Sequence, residues 1–144
     1  MTTATRTPVA PPEIHVVPRN HFWAGFWRLA DPKISLASMA SIFLGACLAA
    51  REGDVAWGWL GWMILGIFCI EVAKNASGEI FDFDSGADAG VAPEDRSPFS
   101  GGKRVLVDEL LTRRQTAMIA GLGYVGGGAI GVSIAAWRAP DVLW

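Results

Sequence analysis

Three stretches of the chain carry no charged residue, and they restrict what it can fold into. They are residues 34–50, 55–70 and 115–137. A helix needs about 20 residues to cross the roughly 30 Å hydrocarbon core of a bilayer. The third stretch has that length, and the first two reach it by extending into their flanks. We therefore predict an all-α membrane protein with about three transmembrane helices, over residues 34–50, 55–74 and 115–137.

The composition argues against a soluble protein. Hydrophobic residues make up 51% of the sequence and charged residues 18%, whereas a soluble domain carries about a quarter charged residues. A soluble helical bundle also needs polar helix faces, which these stretches lack. The net charge of −2, with no basic run interleaved with aromatics, gives no indication of a nucleic-acid partner. We expect one membrane domain over residues 21–144, in contact with lipid, after a disordered tail over residues 1–20.

An aromatic segment precedes the first predicted span. Residues 21–29 include two pairs of large aromatic residues, Phe22-Trp23 and Phe26-Trp27, and an arginine, which is typical of a segment at the membrane interface. The dipeptide Asp31-Pro32 follows it, and proline disfavours helix at the preceding residue. The pattern predicts an interfacial segment that ends at this dipeptide.

The distribution of basic residues predicts the orientation in the membrane. With three spans, the N-terminal tail and the loop over about 75–114 share one face. That face carries every lysine and arginine except Arg51 and Arg138. Because basic residues concentrate in the cytoplasmic loops of membrane proteins, we expect an integral protein of the cell membrane with its N-terminus and this loop in the cytoplasm.

The third predicted span is rich in glycine. Its glycines are Gly121, Gly123, Gly126, Gly127, Gly128 and Gly131. Glycines four residues apart, such as Gly123 and Gly127, allow two helix backbones to approach closely. One hypothesis is therefore a non-catalytic three-span protein that packs against another membrane protein through this helix.

Acidic and amide side chains recur at the end of the second predicted span. Asn75, Glu79 and Asp82 are spaced by three or four residues, so they form one stripe if the helix continues beyond the membrane. Magnesium takes one or two carboxylates together with substrate phosphates. Glu71 lies inside the span, where a charge is costly unless it is paired, and Lys74 is a possible partner. The stripe suggests either a solvated helix end or a Mg²⁺ site.

A second polar motif follows in the same loop. Gly101 and Gly102 precede Lys103 and Arg104, and glycines ahead of paired cations suit a loop that wraps an anion. Metal-binding carboxylates and anion-binding cations on one loop point to a diphosphate ester. The other interpretation is that these cations only reflect the charge bias of the cytoplasmic face.

Taken together, these motifs resemble the first aspartate-rich region of the UbiA superfamily of intramembrane prenyltransferases. The resemblance rests on Asn75, Glu79, Asp82 and Asp88, followed by the run Pro98–Val107. It is nearest to the branch that includes the menaquinone-pathway enzymes. It extends over roughly residues 22–137, and the combined spacing is more specific than any single motif.

The resemblance implies a helical membrane fold around a central cavity and the transfer of an isoprenyl group from a polyprenyl diphosphate to an aromatic acceptor. By position, Asn75, Glu79, Asp82 and Asp88 would hold Mg²⁺, and Lys103 and Arg104 would face the diphosphate. The sequence departs from the family in having Gly78-Glu79 where Asn-Asp is usual, and the second aspartate-rich region does not follow. We therefore expect the N-terminal part of a UbiA-type prenyltransferase, with a partial UbiA-type fold, inactive without a complementary C-terminal half.

Overall fold

The computed structural model describes residues 21–32, 35–90, 92 and 102–138, except for the side chains of residues 88 and 89. The predicted disordered tail over residues 1–20 lies outside this part of the chain. Within it, the secondary structure is entirely helical. The helices are α1 (Phe22–Ala30), α2 (Ser35–Glu52), α3 (Trp57–Ser85), the single turn α4 (Ala87–Gly90) and α5 (Arg113–Arg138). The predicted all-α class is confirmed.

Two of these helices, α3 and α5, are long and apolar enough to cross a membrane. Helix α2 meets the same criterion only together with α1, across a bend of 49°. Its sequence is rich in serine and alanine and ends in Arg51 and Glu52, which lowers its hydropathy. The described residues therefore contain two helices that could span a membrane, or three if the bent pair is one span, which agrees with an integral membrane protein.

Helices α3 and α5 pack closely along a seam of glycines. A Cβ atom on Gly123 would lie 2.7 Å from the carbonyl oxygen of Cys69, and one on Gly127 would lie 3.0 Å from that of Gly66. The first distance is shorter than real Cβ contacts and the second is tighter than most of them, so the glycines allow the two backbones to come this near. The Trp62 indole nitrogen donates a hydrogen bond to Ser133 across the same pair of helices, at 2.9 Å.

A small apolar core lies where the segment before α5 returns to α3 and α1. It consists of Leu29, Ala76, Val105, Leu106, Leu111 and Ala120. Leu111 also covers Gly25 of α1 so closely that a Cβ atom there would meet its Cγ at 2.5 Å. This core holds residues 102–112 against the end of α3 that carries the acidic stripe.

Helix α1 ends where the sequence indicated. Asp31 follows its last residue in the left-handed conformation, with φ of 32°, and its amide donates to the carbonyl oxygen of Trp27. Leu29 and Ala30 are buried, whereas Trp23 and Trp27 are more than half exposed. The helix thus places one face on the protein and leaves its indoles outward, as an interfacial segment requires.

Candidate functional site

The acidic stripe lies on a continuous helix. Helix α3 extends to Ser85 without a break, so the first part of the predicted loop over 75–114 is helical. Asn75, Glu79 and Asp82 therefore lie on successive turns of one face. Asn75 uses its side-chain amide to donate to the backbone oxygen of Leu29 in α1, at 2.7 Å. This bond fixes the end of α1 against α3 and leaves the amide oxygen of Asn75 as the atom that can bind a cation.

Glu79 is the most deeply buried charged side chain of the described residues, at 2% exposure. Its Oε1 atom accepts a hydrogen bond from the backbone amide of Leu106, at 2.9 Å. This bond joins the acidic end of α3 directly to the segment that carries Lys103 and Arg104. The two polar motifs, which are far apart in sequence, are thus brought together, and Glu79 serves to connect them.

Asp82 is half-buried one turn further along α3, and the side chain of Asp88 lies outside the described residues. Among the residues that the structure describes, no group of three or more His, Cys, Asp or Glu side chains is arranged to hold a metal ion. Of the four predicted metal ligands, Asn75 and Glu79 make contacts that hold the fold together. A metal-binding role for the four residues stays a prediction.

The two predicted diphosphate ligands are already engaged by carboxylates. Lys103 forms an ion pair with Asp31 at the end of α1. The Nε atom of Arg104 lies 3.7 Å from an oxygen of Asp108, and Arg28 of α1 donates to the other oxygen of Asp108 at 2.7 Å. The loop is therefore a network of alternating charges that ties α1 to residues 102–108.

Sequence reasoning did not assign a role to Asp31 or Asp108 in this network. Asp31 was interpreted only as part of a helix break, and Asp108 was not considered. A signal was present for Asp108, because it stands four residues after Arg104 and so is close enough in sequence to pair with it. None was present for Asp31, whose partner lies 72 positions away in sequence.

A second ion pair joins the ends of α3 and α5. Arg113 donates to both oxygens of Asp84, at 2.7 and 3.3 Å. These hydrogen bonds hold the pKa of the Asp84 carboxyl below its usual value and raise the pKa of Arg113. Because both groups are exposed to solvent, the pair positions the start of α5 more than it stabilises the fold.

The contact between Glu79 and Leu106 leads to a prediction. In Glu79→Ala the buried Leu106 amide loses its acceptor, which costs about 1–3 kcal/mol, so the segment over 102–112 should detach from α3 more often. Trypsin cleavage after Lys103 and Arg104 should become about tenfold faster or more, because cleavage follows the population of the open state. The variant Glu79→Gln keeps an acceptor oxygen and should be cleaved at nearly the wild-type rate. Equal rates for wild type and Glu79→Ala would refute this role for Glu79.

No protein-family model, curated protein or solved structure matches this chain. The likeness to the UbiA superfamily therefore depends on the motif residues alone.

Proposed function

We propose that this chain is the N-terminal part of a Mg²⁺-dependent prenyltransferase of the UbiA type, which transfers an isoprenyl group from a polyprenyl diphosphate to an aromatic acceptor. The main supporting observation is the bond between Glu79 and Leu106. It holds an acidic helix end and a Gly-Lys-Arg segment together at one end of two membrane-spanning helices. Carboxylates for a metal and cations for an anion, side by side at a bilayer surface, suit a diphosphate with an apolar tail.

The side chains present fit Mg²⁺ in their chemistry. Magnesium prefers oxygen ligands and uses few protein carboxylates, since substrate phosphates complete its coordination. Asp82 and Asp88 would supply those carboxylates, and Asn75 would offer its amide oxygen. The bound ion would neutralise charge on the leaving diphosphate. The second aspartate-rich region of the family would come from a complementary C-terminal half. Both aspartate-rich regions would face the cytoplasm.

Binding of the diphosphate would require an exchange of partners. Lys103 and Arg104 are each paired with an aspartate, and both cationic side chains are largely buried. A diphosphate oxygen would therefore have to compensate both cations for the loss of the carboxylates of Asp31 and Asp108. In this proposal the aspartates keep the two cations in place until the substrate arrives.

Transfer activity tests the proposal. Membranes that contain this chain together with the polypeptide that carries the second aspartate-rich region should prenylate an aromatic acceptor, and removal of Mg²⁺ by a chelator should abolish the reaction. Asp82→Ala should lower the rate by about 100-fold, because several kcal/mol of charge stabilisation is lost. The matched control is Asp84→Ala on the same helix turn, which should retain activity. Transfer that is unchanged in Asp82→Ala would rule out the assignment.

The alternative function is a non-catalytic protein that packs against another membrane protein through α5. One observation favours it: Gly121, Val125, Gly128 and Val132 form an exposed face of α5 that no described residue covers. A neighbouring reading frame that encodes further spans and a second aspartate-rich region would favour the transferase. A frame without them would favour this alternative.

A further inference from the structure

Helix α1 leaves a row of aromatic side chains largely outside the protein. The row consists of Phe22, Trp23, Phe26 and Trp27, whose neighbouring rings pack edge to face with centroids 5.4 to 5.9 Å apart. Trp23 and Trp27 are 66% and 57% exposed. A contiguous exposed apolar patch marks a surface that binds a membrane or another protein. The aromatic row therefore needs an occupant that the described residues do not supply.

The contact between α1 and α3 indicates the level of the aromatic row relative to the membrane. The backbone oxygen of Leu29 accepts a hydrogen bond from the side-chain amide of Asn75, at 2.7 Å. Asn75 directly follows Lys74, where the apolar part of α3 ends. Tryptophan is enriched at this level of a bilayer, because the indole is apolar and carries one N–H group that needs a polar partner. The end of α1 thus lies where α3 leaves its apolar stretch.

The side of α1 away from the aromatic row is polar. Arg28 stands two positions after Phe26, and 3.6 residues per turn place it on roughly the opposite side of the helix. There it donates to Asp108, at 2.7 Å. A helix with large aromatic residues on one side and a basic residue on the other lies in the membrane surface with its apolar side in the lipid. This arrangement favours lipid over another polypeptide as the occupant.

The position of residues 102–108 depends on α1. Helix α1 has nine residues, and isolated helices shorter than about 12–15 residues are marginal in water. Its fully buried Leu29 packs in the core with Val105 and Leu106. Displacement of α1 would therefore remove one wall of this core, together with the two ion pairs that join α1 to residues 102–108. Whatever holds α1 in place also holds this segment.

We propose that α1 is a lipid anchor that holds residues 102–108 in place. The side chains of Trp23 and Trp27 insert at the boundary between phospholipid headgroups and acyl chains. From the other side of the helix, Arg28 and Asp31 hold the segment through their ion pairs. Detachment of α1 from the lipid releases the segment. The anchor requires no metal, no diphosphate and no second polypeptide, so it stands or fails separately from the proposed transferase function.

Tryptophan fluorescence of the full chain in lipid bilayer discs tests the insertion. In the variant to be measured, every tryptophan except Trp23 and Trp27 is replaced by phenylalanine, so that the emission reports on α1 alone. Phospholipids brominated near the headgroup should quench this emission strongly, and iodide in the water should quench it weakly. Emission that the brominated lipid leaves unchanged would show that water or a polypeptide covers the aromatic row, and would overturn the proposal.

Trypsin cleavage of residues 102–108 in the same discs tests the coupling. The double variant Trp23→Ser/Trp27→Ser should be cleaved there about tenfold faster than wild type, which corresponds to about 1.4 kcal/mol of lost anchoring. The matched control is Trp57→Ser/Trp137→Ser, which removes two indoles that are 73% and 81% exposed at the opposite ends of α3 and α5. It should be cleaved at the wild-type rate. Cleavage that is unchanged in Trp23→Ser/Trp27→Ser, or that both double variants accelerate equally, would overturn the proposal.

Discussion

Replacement of Gly123 by leucine should separate α5 from α3. The first atom of the new side chain would lie 2.7 Å from the carbonyl oxygen of Cys69 and 2.8 Å from the Cβ atom of Ala73. Neither neighbour can move away without a shift of the α3 backbone. Overpacked core substitutions cost about 1–3 kcal/mol and occasionally more, and a clash with backbone belongs at the upper end. We therefore expect a loss of about 3 kcal/mol in the free energy of unfolding.

Unfolding of the chain by sodium dodecyl sulfate in mixed micelles, followed by circular dichroism, measures this effect. The matched control is Gly121→Leu, since Gly121 lies on the exposed face of the same helix with nothing within 4 Å. Its unfolding midpoint should equal that of wild type. If both variants unfold at the same detergent fraction, the glycine seam does not hold α3 and α5 together.

The same seam shows what the sequence could predict about packing. Glycines spaced by four residues predicted close helix contact, and Gly123 and Gly127 make it. The sequence did not reveal that the partner is α3 of the same chain, because the complementary position is a single glycine, Gly66, with no repeat around it. Gly131, which the spacing also included, has no described atom within 4 Å of the position where a Cβ atom would lie.

Two of the three predicted spans, in α3 and α5, followed from charge placement because burying a charge in hydrocarbon is costly. The ends of the helices did not follow, since α3 continues past Lys74 to Ser85. Hydropathy marks where a helix leaves the membrane, whereas the hydrogen-bond pattern and the contact with residues 102–112 decide where it ends. The sequence therefore predicted the apolar part of α3. It predicted the acidic extension only on the condition that the helix continues past Lys74.

The sequence predicted which residues of α3 share one face at the candidate site. It did not predict which partners their side chains contact. Spacing placed Asn75, Glu79 and Asp82 on one helix face, as α3 shows. It did not indicate that Asn75 binds the backbone of α1 or that Glu79 binds the amide of Leu106. Contacts of this kind depend on tertiary distances that a single sequence does not contain.

The most direct measurement of the proposed half-site is the binding of geranylgeranyl diphosphate to the chain alone in bilayer discs. In wild type, Mg²⁺ should tighten binding by about tenfold or more over a chelator, because Asp82 would hold the metal and the metal would neutralise charge on the diphosphate. Asp82→Ala should abolish the Mg²⁺-dependent gain, and Asp84→Ala should keep it. Binding that does not depend on Mg²⁺, or that gains equally from Mg²⁺ in wild type and Asp82→Ala, would contradict a diphosphate site at the end of α3.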